Sequence, residues 1–475
     1  MKNKFFTREI CVCEHLTQTR HAQRTCAEMR NNMSYDTLET AKAAMRFINT
    51  RKRQAEEGIY FSLEDGQTGH ASYYDEICLY AGASGILCFL LGLYDVTGQR
   101  EYLDEAKEVA KYLQYRWKNQ RELKRNFSQY AFSSGWSGAG FALLQLYQVT
   151  GEKEYADTVT SIIEQAIRDA KPSGSGEGYE WSTFQGIVGN AGTVLFLLKA
   201  ADILENDTFR DFAIEAGRTF LHQGRDMGDG KIVYQGVDPT YFGAGKDYID
   251  PNFPMGTGGI AFTLLKLYEA SKEKKFLDAV VGVTEYMDTV AVKMKAGKLL
   301  PHGLPDRGDL FYVGYCHGPA GTNRFFYQLY QMTGDEKYKK EIEDLTDGME
   351  ALGAPETRSA GYWNTLNICC GTAGILNMYL GLWAGLGEDR FYQKALECKK
   401  ILSDQAVYEE TEQGLTARWQ FALDRVAPDV LTTPIGFLDG AAGIGAMLLQ
   451  VYSAENGNFK AMRAIDDPFP ASKRR

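Results

Sequence analysis

The stretch "GTAGILNMYLGLW" (371–383) joins a Gly-x-x-Gly element to a run of apolar residues, and this pattern occurs seven times along the chain. The other copies are "GASGILCFLLGLY" (82–94), "GWSGAGFALLQLY" (135–147), "GNAGTVLFLLKAA" (189–201), "GTGGIAFTLLKLY" (256–268), "GPAGTNRFFYQLY" (318–330) and "GAAGIGAMLLQVY" (440–452). The second glycines of successive copies are separated by 53 to 69 residues. A unit repeated at this spacing indicates a repeat architecture, in which each copy is one supersecondary element.

Stretches of a different character lie between the copies. Both "EYLDEAKEVAKYLQYRW" (101–117) and "KYKKEIEDLTDGMEAL" (337–352) place apolar residues at helical spacing and charged residues elsewhere, which is typical of a surface helix. The repeated runs are apolar nearly all round, which is typical of a helix buried on every side. The sequence therefore predicts an all-α fold in which each unit pairs an apolar inner helix with an amphipathic outer helix.

The order of these helices predicts an α/α toroid (barrel) of seven helix pairs, with the apolar helices in the inner ring and a Gly-x-x-Gly turn before each. The last inner helix (443–452) has no outer helix after it, whereas an amphipathic segment (35–54) precedes the first. We expect this segment to complete the seventh pair and close the ring. An open solenoid of helix hairpins is the alternative, but no polar capping repeat is visible at its C-terminal end.

We divide the chain into an N-terminal extension (1–34), for which disorder is the simplest expectation, the toroid (35–456) and a C-terminal tail (457–475). Net charge is −10, from 52 basic and 62 acidic residues, which argues against nucleic acid as the main partner. The longest apolar stretches, such as 85–94, are too short to span a bilayer. The first thirty residues show no signal-peptide pattern, so we expect a cytoplasmic protein.

Nine cysteines in a cytoplasmic chain favour metal ligands, reactive thiols or core residues over a disulfide framework. Cys316 and His317 precede the fifth Gly-x-x-Gly element, and Cys369 and Cys370 precede the sixth. If the inner helices run parallel, their N-termini converge at one end of the ring, where their partial positive charges favour thiolates. Thiolate and imidazole ligands suit tetrahedral zinc.

Three protein ligands would leave a fourth position open, as in catalytic zinc sites, whereas His317 as a fourth ligand would make a closed structural site. Other cysteines and histidines carry weaker signals. Two cysteines are expected to be small buried hydrophobes, Cys88 and Cys398. The cysteines of the N-terminal segment lack a partner set: Cys11, Cys13 and Cys26. Two histidines fall in linkers and are expected to be solvated or locally hydrogen-bonded: His222 and His302.

With "YCHGPAG" (315–321), "CCGTAG" (369–374) and "GFLDGAAGIG" (436–445), the repeats resemble the lanthionine synthetase C-like (LanC-like) cyclases over roughly 75–452. The resemblance implies an α/α toroid with zinc at one end. It also implies an enzyme that adds cysteine thiolates to dehydroalanine or dehydrobutyrine, forming thioether (lanthionine) rings in lanthipeptide biosynthesis.

Carried over by motif, the zinc ligands of the family fall on Cys316, Cys369 and Cys370. Cys370 stands where the family usually has histidine, although a three-cysteine variant also occurs, among cyclase domains fused to dehydratases. A third thiolate makes the site more negative and a thiolate bound there more electron-rich, at some loss of Lewis acidity. The implied partners are a precursor peptide with cysteines and dehydrated serines or threonines, and a separate dehydratase, since the toroid uses the chain.

The usual acid and base residues of the family are absent. Met255 stands where the resemblance places a histidine, Gln185 where it places an aspartate, and Tyr312 where it places an arginine. His317, next to the first ligand, is the best-placed remaining general acid for the enolate that thiol addition creates. Weaker candidates for this role are three loop residues: Asp439, Asp309 and Arg307.

Two other functions fit the same motifs. A LanC-like enzyme could add a small thiol such as glutathione to dehydroamino acids in proteins. A zinc-containing toroid could also bind peptides as a non-catalytic scaffold of a modification complex, a reading that the missing acid and base residues keep open. Toroids of six helix pairs that process sugars fit less well, because no clear carboxylate pair is visible at the ring mouth.

Overall fold

The structure is a computed structural model that describes residues 36–65, 72–124, 128–237, 245, 247–305, 309–356, 362–422, 425 and 427–473. The predicted extension (1–34) lies outside the described residues. Within them, helices dominate and the sheets have only two strands each. The all-α prediction is confirmed.

Fourteen α-helices of the described residues alternate between an outer and an inner layer. In chain order they are α1 Thr37–Asn49, α2 Ala83–Thr97, α3 Arg100–Asn119, α4 Trp136–Thr150, α5 Lys153–Asp169, α6 Asn190–Leu204, α7 Asp207–Gly217, α8 Thr257–Ser271, α9 Lys274–Val290, α10 Pro319–Thr333, α11 Glu336–Ala351, α12 Thr372–Leu386, α13 Asp389–Asp404 and α14 Ala441–Glu455. A short 3₁₀ helix, Arg218–His222, continues α7. The even-numbered helices are the seven apolar repeats, and each has 15 residues.

The burial of the two layers follows their sequence patterns. The inner helix α12 is buried continuously from Thr372 to Ala384. The outer helix α5 buries only one face, which includes Tyr155, Val159 and Ile162. Apolar surface therefore decides which helices line the ring, since only the inner helices have it on all sides.

Contacts between inner helices close the ring. Each inner helix packs against the next along the chain, and the last, α14, packs against the first, α2. Each outer helix from α3 to α13 packs on the inner helix before it. The contacts between α14 and α2 confirm the predicted α/α toroid and show that the alternative, an open solenoid, is wrong.

The outer partner of α14 is the N-terminal helix α1. It is shorter than the predicted segment 35–54, because the chain leaves the helix after Asn49 and enters a short strand, β1 (Lys52–Gln54). Its buried face includes Ala44, Met45 and Ile48. The first and last helices thus share one pair, and this pair fastens the ring.

The Gly-x-x-Gly elements are required by space. In the sixth copy Gly371 is the N-cap residue of α12, with extended backbone. A Cβ atom on the second glycine, Gly374, would lie 2.2 Å from the carbonyl oxygen of Ile368, and one on Gly443 would lie 1.8 Å from that of Phe437. Since real Cβ contacts are never this short, only glycine lets each loop fold over the start of its helix.

Short strands of two to five residues occupy the connections between helix pairs. They are β1 Lys52–Gln54, β2 Ile59–Phe61, β3 Lys171–Pro172, β4 Tyr179–Glu180, β5 Arg225–Asp226, β6 Ile232–Val233, β7 Val292–Lys293, β8 Lys298–Leu299, β9 Phe311–Tyr312, β10 Tyr362–Trp363, β11 Val407–Thr411, β12 Gly414–Arg418, β13 Phe421–Ala422 and β14 Leu431–Thr432. Consecutive strands pair antiparallel, except that β9 and β10 pair in parallel. In the longest ladder Val407 faces Arg418.

The segment after α14, assigned above to a tail, packs onto the ring. Phe459, Ile465 and Phe469 are buried, and the ring of Phe469 lies 4.9 Å from that of Tyr327 in α10. Asp466 is 2 % exposed and lies 3.1 Å from the guanidinium of Arg324, again in α10. This segment therefore belongs to the packed body of the protein over the described residues.

No helix in the described part of the chain is both long enough and apolar enough to cross a membrane.

Candidate functional site

Three cysteines converge where the loops of the fifth and sixth units reach the inner helices. Cys316 precedes the N-cap of α10, and Cys369 and Cys370 precede the N-cap of α12. The Sγ atom of Cys316 lies 3.2 Å from that of Cys369 and 3.3 Å from that of Cys370. All three Sγ atoms lie within 4.8 Å of one another, and none is in a disulfide. The predicted cluster is therefore assembled in the fold.

Backbone hydrogen bonds between neighbouring units hold this cluster. The Cys316 N–H donates to the carbonyl of Cys369 at 2.8 Å, and the Cys369 N–H donates to that of Leu438 at 2.9 Å. The Leu438 N–H donates to Tyr80 at 2.8 Å, and the Tyr80 N–H donates to Ser133 at 2.9 Å. This series joins units five, six, seven, one and two around the mouth of the ring. Closure of the toroid is therefore coupled directly to the cysteine positions.

A glycine before the first cysteine brings the two cysteine loops together. A Cβ atom on Gly314 would lie 2.5 Å from the carbonyl carbon of Cys370 and 2.6 Å from the nitrogen of Gly371. The parallel pairing of β9 with β10 aligns the two loops just upstream. The side chain of Asn367 accepts a hydrogen bond from the Cys370 N–H at 2.8 Å. None of these supports was anticipated from the sequence, because they depend on contacts between separate loops.

The pKa values of Cys369 and Cys316 shift in opposite directions. Hydrogen bonds with Cys316 and Cys370 lower the pKa of Cys369 well below its ordinary value, and a hydrogen bond with Tyr80 acts in the same direction. Hydrogen bonds with Cys369 and Cys370, together with burial, raise the pKa of Cys316 well above its ordinary value. The surroundings therefore favour the thiolate form of Cys369 over that of Cys316.

His317 is held in an unusual conformation beside the cluster. Its φ angle is +60°, in the left-handed region that non-glycine residues adopt rarely and that is found at functional sites. The His317 N–H donates to the carbonyl of Phe253 at 2.7 Å. Its Nδ1 atom lies 2.8 Å from Oδ2 of Asp250, a carboxylate that is almost fully buried. The side chain is therefore oriented by contacts on both its backbone and its ring.

His302 is buried beside His317, so of the two expectations for this linker residue, solvated or locally hydrogen-bonded, the first is wrong. It is 5 % exposed and stacks on His317, with ring centroids 4.3 Å apart and planes 24° from parallel. A β-bridge between Ile249 and Leu304 brings its loop next to Asp250. The position was missed because His302 has no counterpart in the repeats. His222, by contrast, is partly exposed and lies 3.2 Å from Glu177.

The residues that replace the expected acid and base groups have different surroundings. Met255 lines the cavity that also contains Cys316 and Cys369. The side chain of Gln185 accepts a hydrogen bond from that of Asn190 at 2.8 Å. Tyr312 packs edge-on against His302, with ring centroids 4.3 Å apart. Burial, and then the charges of Cys370 and Cys316, raise the pKa of Tyr312.

The three weaker candidates for the general acid differ in where they lie. Asp439 is buried, and burial followed by the charge of Cys369 raises its pKa to about 7. Asp309 is exposed at the surface. Arg307 lies outside the described residues. Of these, only Asp439 is shown close to the cysteine cluster.

The cysteines expected to act as small hydrophobes are buried. Cys88 is 2 % exposed and Cys398 is fully buried. Burial raises the pKa of Cys88 to about 12, so its thiol stays protonated. Cys78, which the sequence analysis did not weigh, is also buried, and its pKa is also raised to about 12 by burial. Cys11, Cys13 and Cys26 lie outside the described residues.

The family model of the lanthionine synthetase C-like proteins matches residues 73–463 of this chain. The chain belongs to the LanC-like family. Among solved structures, nisin cyclase is 14 % identical, with a TM-score of 0.57 over 82 % of this chain and 91 % of its own. At this identity the LanC-like toroid is what the two proteins share. D-mannose isomerase is 16 % identical, with a TM-score of 0.47 over 66 % of this chain and 85 % of its own.

Proposed function

We propose that this LanC-like protein is a zinc-dependent cyclase that adds cysteine thiolates of a precursor peptide to dehydroalanine or dehydrobutyrine. The products are thioether (lanthionine) rings, and a separate dehydratase supplies the dehydrated peptide in the cytoplasm. The observation that carries the proposal is the convergence of three thiols outside any disulfide, those of Cys316, Cys369 and Cys370, in a chain of this family.

The donor set fits zinc. Sulfur ligands are typical of this metal, and the helix N-termini that follow the cysteines favour the thiolate form that zinc binds. Cys316, Cys369 and Cys370 would hold the ion. Zinc in this position would lower the pKa of an incoming cysteine thiol and hold it as a thiolate nucleophile.

His317 is the residue that we assign to proton transfer. Thiol addition forms a bond from sulfur to the β-carbon and places a negative charge on the acceptor as an enolate. A proton must then reach the α-carbon, so that the net reaction adds S–H across the double bond without oxidation or reduction. His317 adjoins Cys316, and Asp250 and His302 hold its ring. A histidine fixed this close to the reacting groups suits general acid and base catalysis.

The test uses purified protein and chemically dehydrated peptides that contain one cysteine each. Ring closure does not change peptide mass, so each product is treated with an alkylating reagent that counts remaining thiols by mass spectrometry. The proposal expects loss of the alkylatable thiol with wild-type protein and its retention with Cys369→Ala. Unchanged thiols with wild-type protein on every dehydrated peptide would contradict a cyclase.

Parallel reactions separate the two other functions. Glutathione is added to dehydrated peptides that contain no cysteine, and a mass increase of one glutathione would favour the small-thiol enzyme. Tight peptide binding without either reaction would favour the scaffold. The cyclase reading expects the intramolecular reaction to outpace glutathione addition, because the two reacting groups are in one molecule.

A further inference from the structure

An apolar cavity of about 150 Å³ extends from the thiols of Cys316 and Cys369 into the centre of the ring. Apolar side chains from five repeat units contribute to its wall: Leu79, Phe132, Ile187, Ile368, Phe437 and Met447. The cavity is therefore bounded on one side by the candidate metal ligands and elsewhere mainly by hydrocarbon.

The segment after α14 forms one part of the cavity wall. Ala464 lies there with the ion pair between Arg324 and Asp466, whose charged atoms lie 3.1 Å apart. Asp466 also accepts a hydrogen bond from the Tyr315 hydroxyl at 2.5 Å, and Arg324 donates to Asn377 at 3.1 Å. These charges are matched within the protein, so the cavity offers an occupant mainly apolar contact.

Another part of the cavity wall is formed by residues that are only half-buried: Tyr74, Ser133 and Met255. Met255 also packs against a small apolar cluster with Phe184 and Val188, separate from the main core. The surroundings of Met255 are thus apolar as well.

The volume sets the size of the occupant. A dry cavity of about 150 Å³ lined by leucine, isoleucine and phenylalanine is known to accept benzene, so this one has room for one aliphatic or aromatic side chain. Burying such a side chain stabilises a complex by about 1.5–3 kcal/mol, or more than tenfold in affinity. Because consecutive Cα atoms are only about 3.8 Å apart, a residue beside a cysteine at the thiol cluster lies within reach of the cavity.

We propose that this cavity is a subsite for the apolar side chain of a residue that flanks the reacting cysteine of the substrate peptide. The inference rests on the proposed function, since it assumes that a peptide thiol is held at Cys316, Cys369 and Cys370. It narrows the substrate class to peptides with leucine, isoleucine, valine or phenylalanine next to cysteine, and it disfavours serine or glycine there.

The experiment begins with a binding measurement that needs no catalysis. Fluorobenzene is titrated into the full-length protein and followed by ¹⁹F NMR, with saturable binding expected. Acetyl-Leu-Cys-amide and acetyl-Ser-Cys-amide are then compared as competitors, and the leucine peptide should displace the probe at a concentration at least about tenfold lower. These peptides share the cysteine and differ only at the flanking side chain.

Two variants fill the cavity from different parts of its wall. Ala464→Phe adds a ring from the C-terminal segment and Met255→Trp adds one from the loop before α8, and each should weaken fluorobenzene binding at least about tenfold while zinc content stays unchanged. Ala471→Phe is the matched control, because Ala471 lies in the same C-terminal segment but is exposed. It should bind the probe like wild type.

Any one of three results would contradict the proposed subsite. The first is that the wild-type protein shows no saturable binding of fluorobenzene. The second is that both filled variants fold and bind the probe as tightly as wild type, and the third is that the leucine and serine peptides compete equally well. If both filled variants fail to fold, the competition in wild type decides alone. Failure of the proposed function has a different outcome, in which the probe and competition results stand but no dehydrated peptide is cyclised.

Discussion

The Nδ1 atom of His317 lies 2.8 Å from Oδ2 of Asp250, and both side chains are buried. A carboxylate this close to Nδ1 favours a proton on that nitrogen, which would leave Nε2 as the atom that exchanges a proton. His302, stacked 4.3 Å away, restricts rotation of the same ring. The pair thus has the arrangement of a proton-transfer residue with a positioning partner.

His317→Asn should retain zinc and slow ring closure by roughly 10²–10⁴-fold, the usual contribution of a general acid or base. Asp250→Asn should slow it less, by roughly 10–100-fold, because the imidazole remains but loses its orienting carboxylate. The measurement is the rate of thiol loss from a dehydrated peptide, with zinc determined on the same samples.

The control for this pair is His222→Asn, which removes a partly exposed histidine paired with Glu177 on the outside of the ring. Its rate should equal that of wild type. A zinc-loaded His317→Asn protein with the wild-type rate would exclude His317 as the general acid. Asp439 would then be the next candidate, because its raised pKa also lies near the range of a useful acid.

The wild-type protein should contain about one zinc ion per chain, and single alanine variants of Cys316, Cys369 and Cys370 should lose most of it. Cys398→Ala is the control, because that thiol is fully buried away from the cluster. X-ray absorption should show mainly sulfur ligands at about 2.3 Å. Full zinc retention by Cys369→Ala would show that the cysteine cluster is not the zinc site. A His317 nitrogen among the zinc ligands would instead indicate a closed structural site.

Gly314→Ala should lose zinc although no ligand is changed. The new Cβ atom would lie 2.5 Å from the carbonyl carbon of Cys370, so the two cysteine loops would have to separate. Metal analysis and a thermal melt test this together. Gly174→Ala is the matched control, since a Cβ atom there meets nothing within 4 Å. Equal zinc contents for the two variants would show that the loop approach is not needed.

The fold was predictable because its signal is local and repeated. Each apolar run with its two glycines specifies a buried helix start, and seven copies specify a ring. Cys316, Cys369 and Cys370 were predictable for the same reason, since they occupy matching positions in two units. The residues that hold this site in place could not be predicted, because Asp250, His302 and Gly314 reach it through loops of irregular length. A buried histidine and a solvated one look alike in sequence when no repeat fixes their position.

Deleting residues 1–56 should lower the melting temperature strongly, because α14 would lose its outer partner α1 and expose the apolar face that packs on Ala44 and Ile48. Deleting only residues 1–32 should leave the melting temperature nearly unchanged, since α1 is kept. Thermal unfolding followed by circular dichroism compares the three proteins. Equal melting temperatures for all of them would mean that α1 does not stabilise the closed ring.

Asp466→Asn should destabilise the protein by about 3–5 kcal/mol, the usual result of removing one partner from a buried ion pair. The reason is that Arg324 would keep a buried charge while losing the carboxylate 3.1 Å away, and Asp467, at 3.9 Å, is farther. Urea unfolding measures the change.

Asp95→Asn is the control, because its pair with Lys460 is exposed at the surface and such pairs contribute at most about 1 kcal/mol. Because Tyr315, the residue before Cys316, donates its hydroxyl hydrogen bond to Asp466, the variant should also bind zinc more weakly. Equal stability of the two asparagine variants would show that the C-terminal segment is not anchored through this pair.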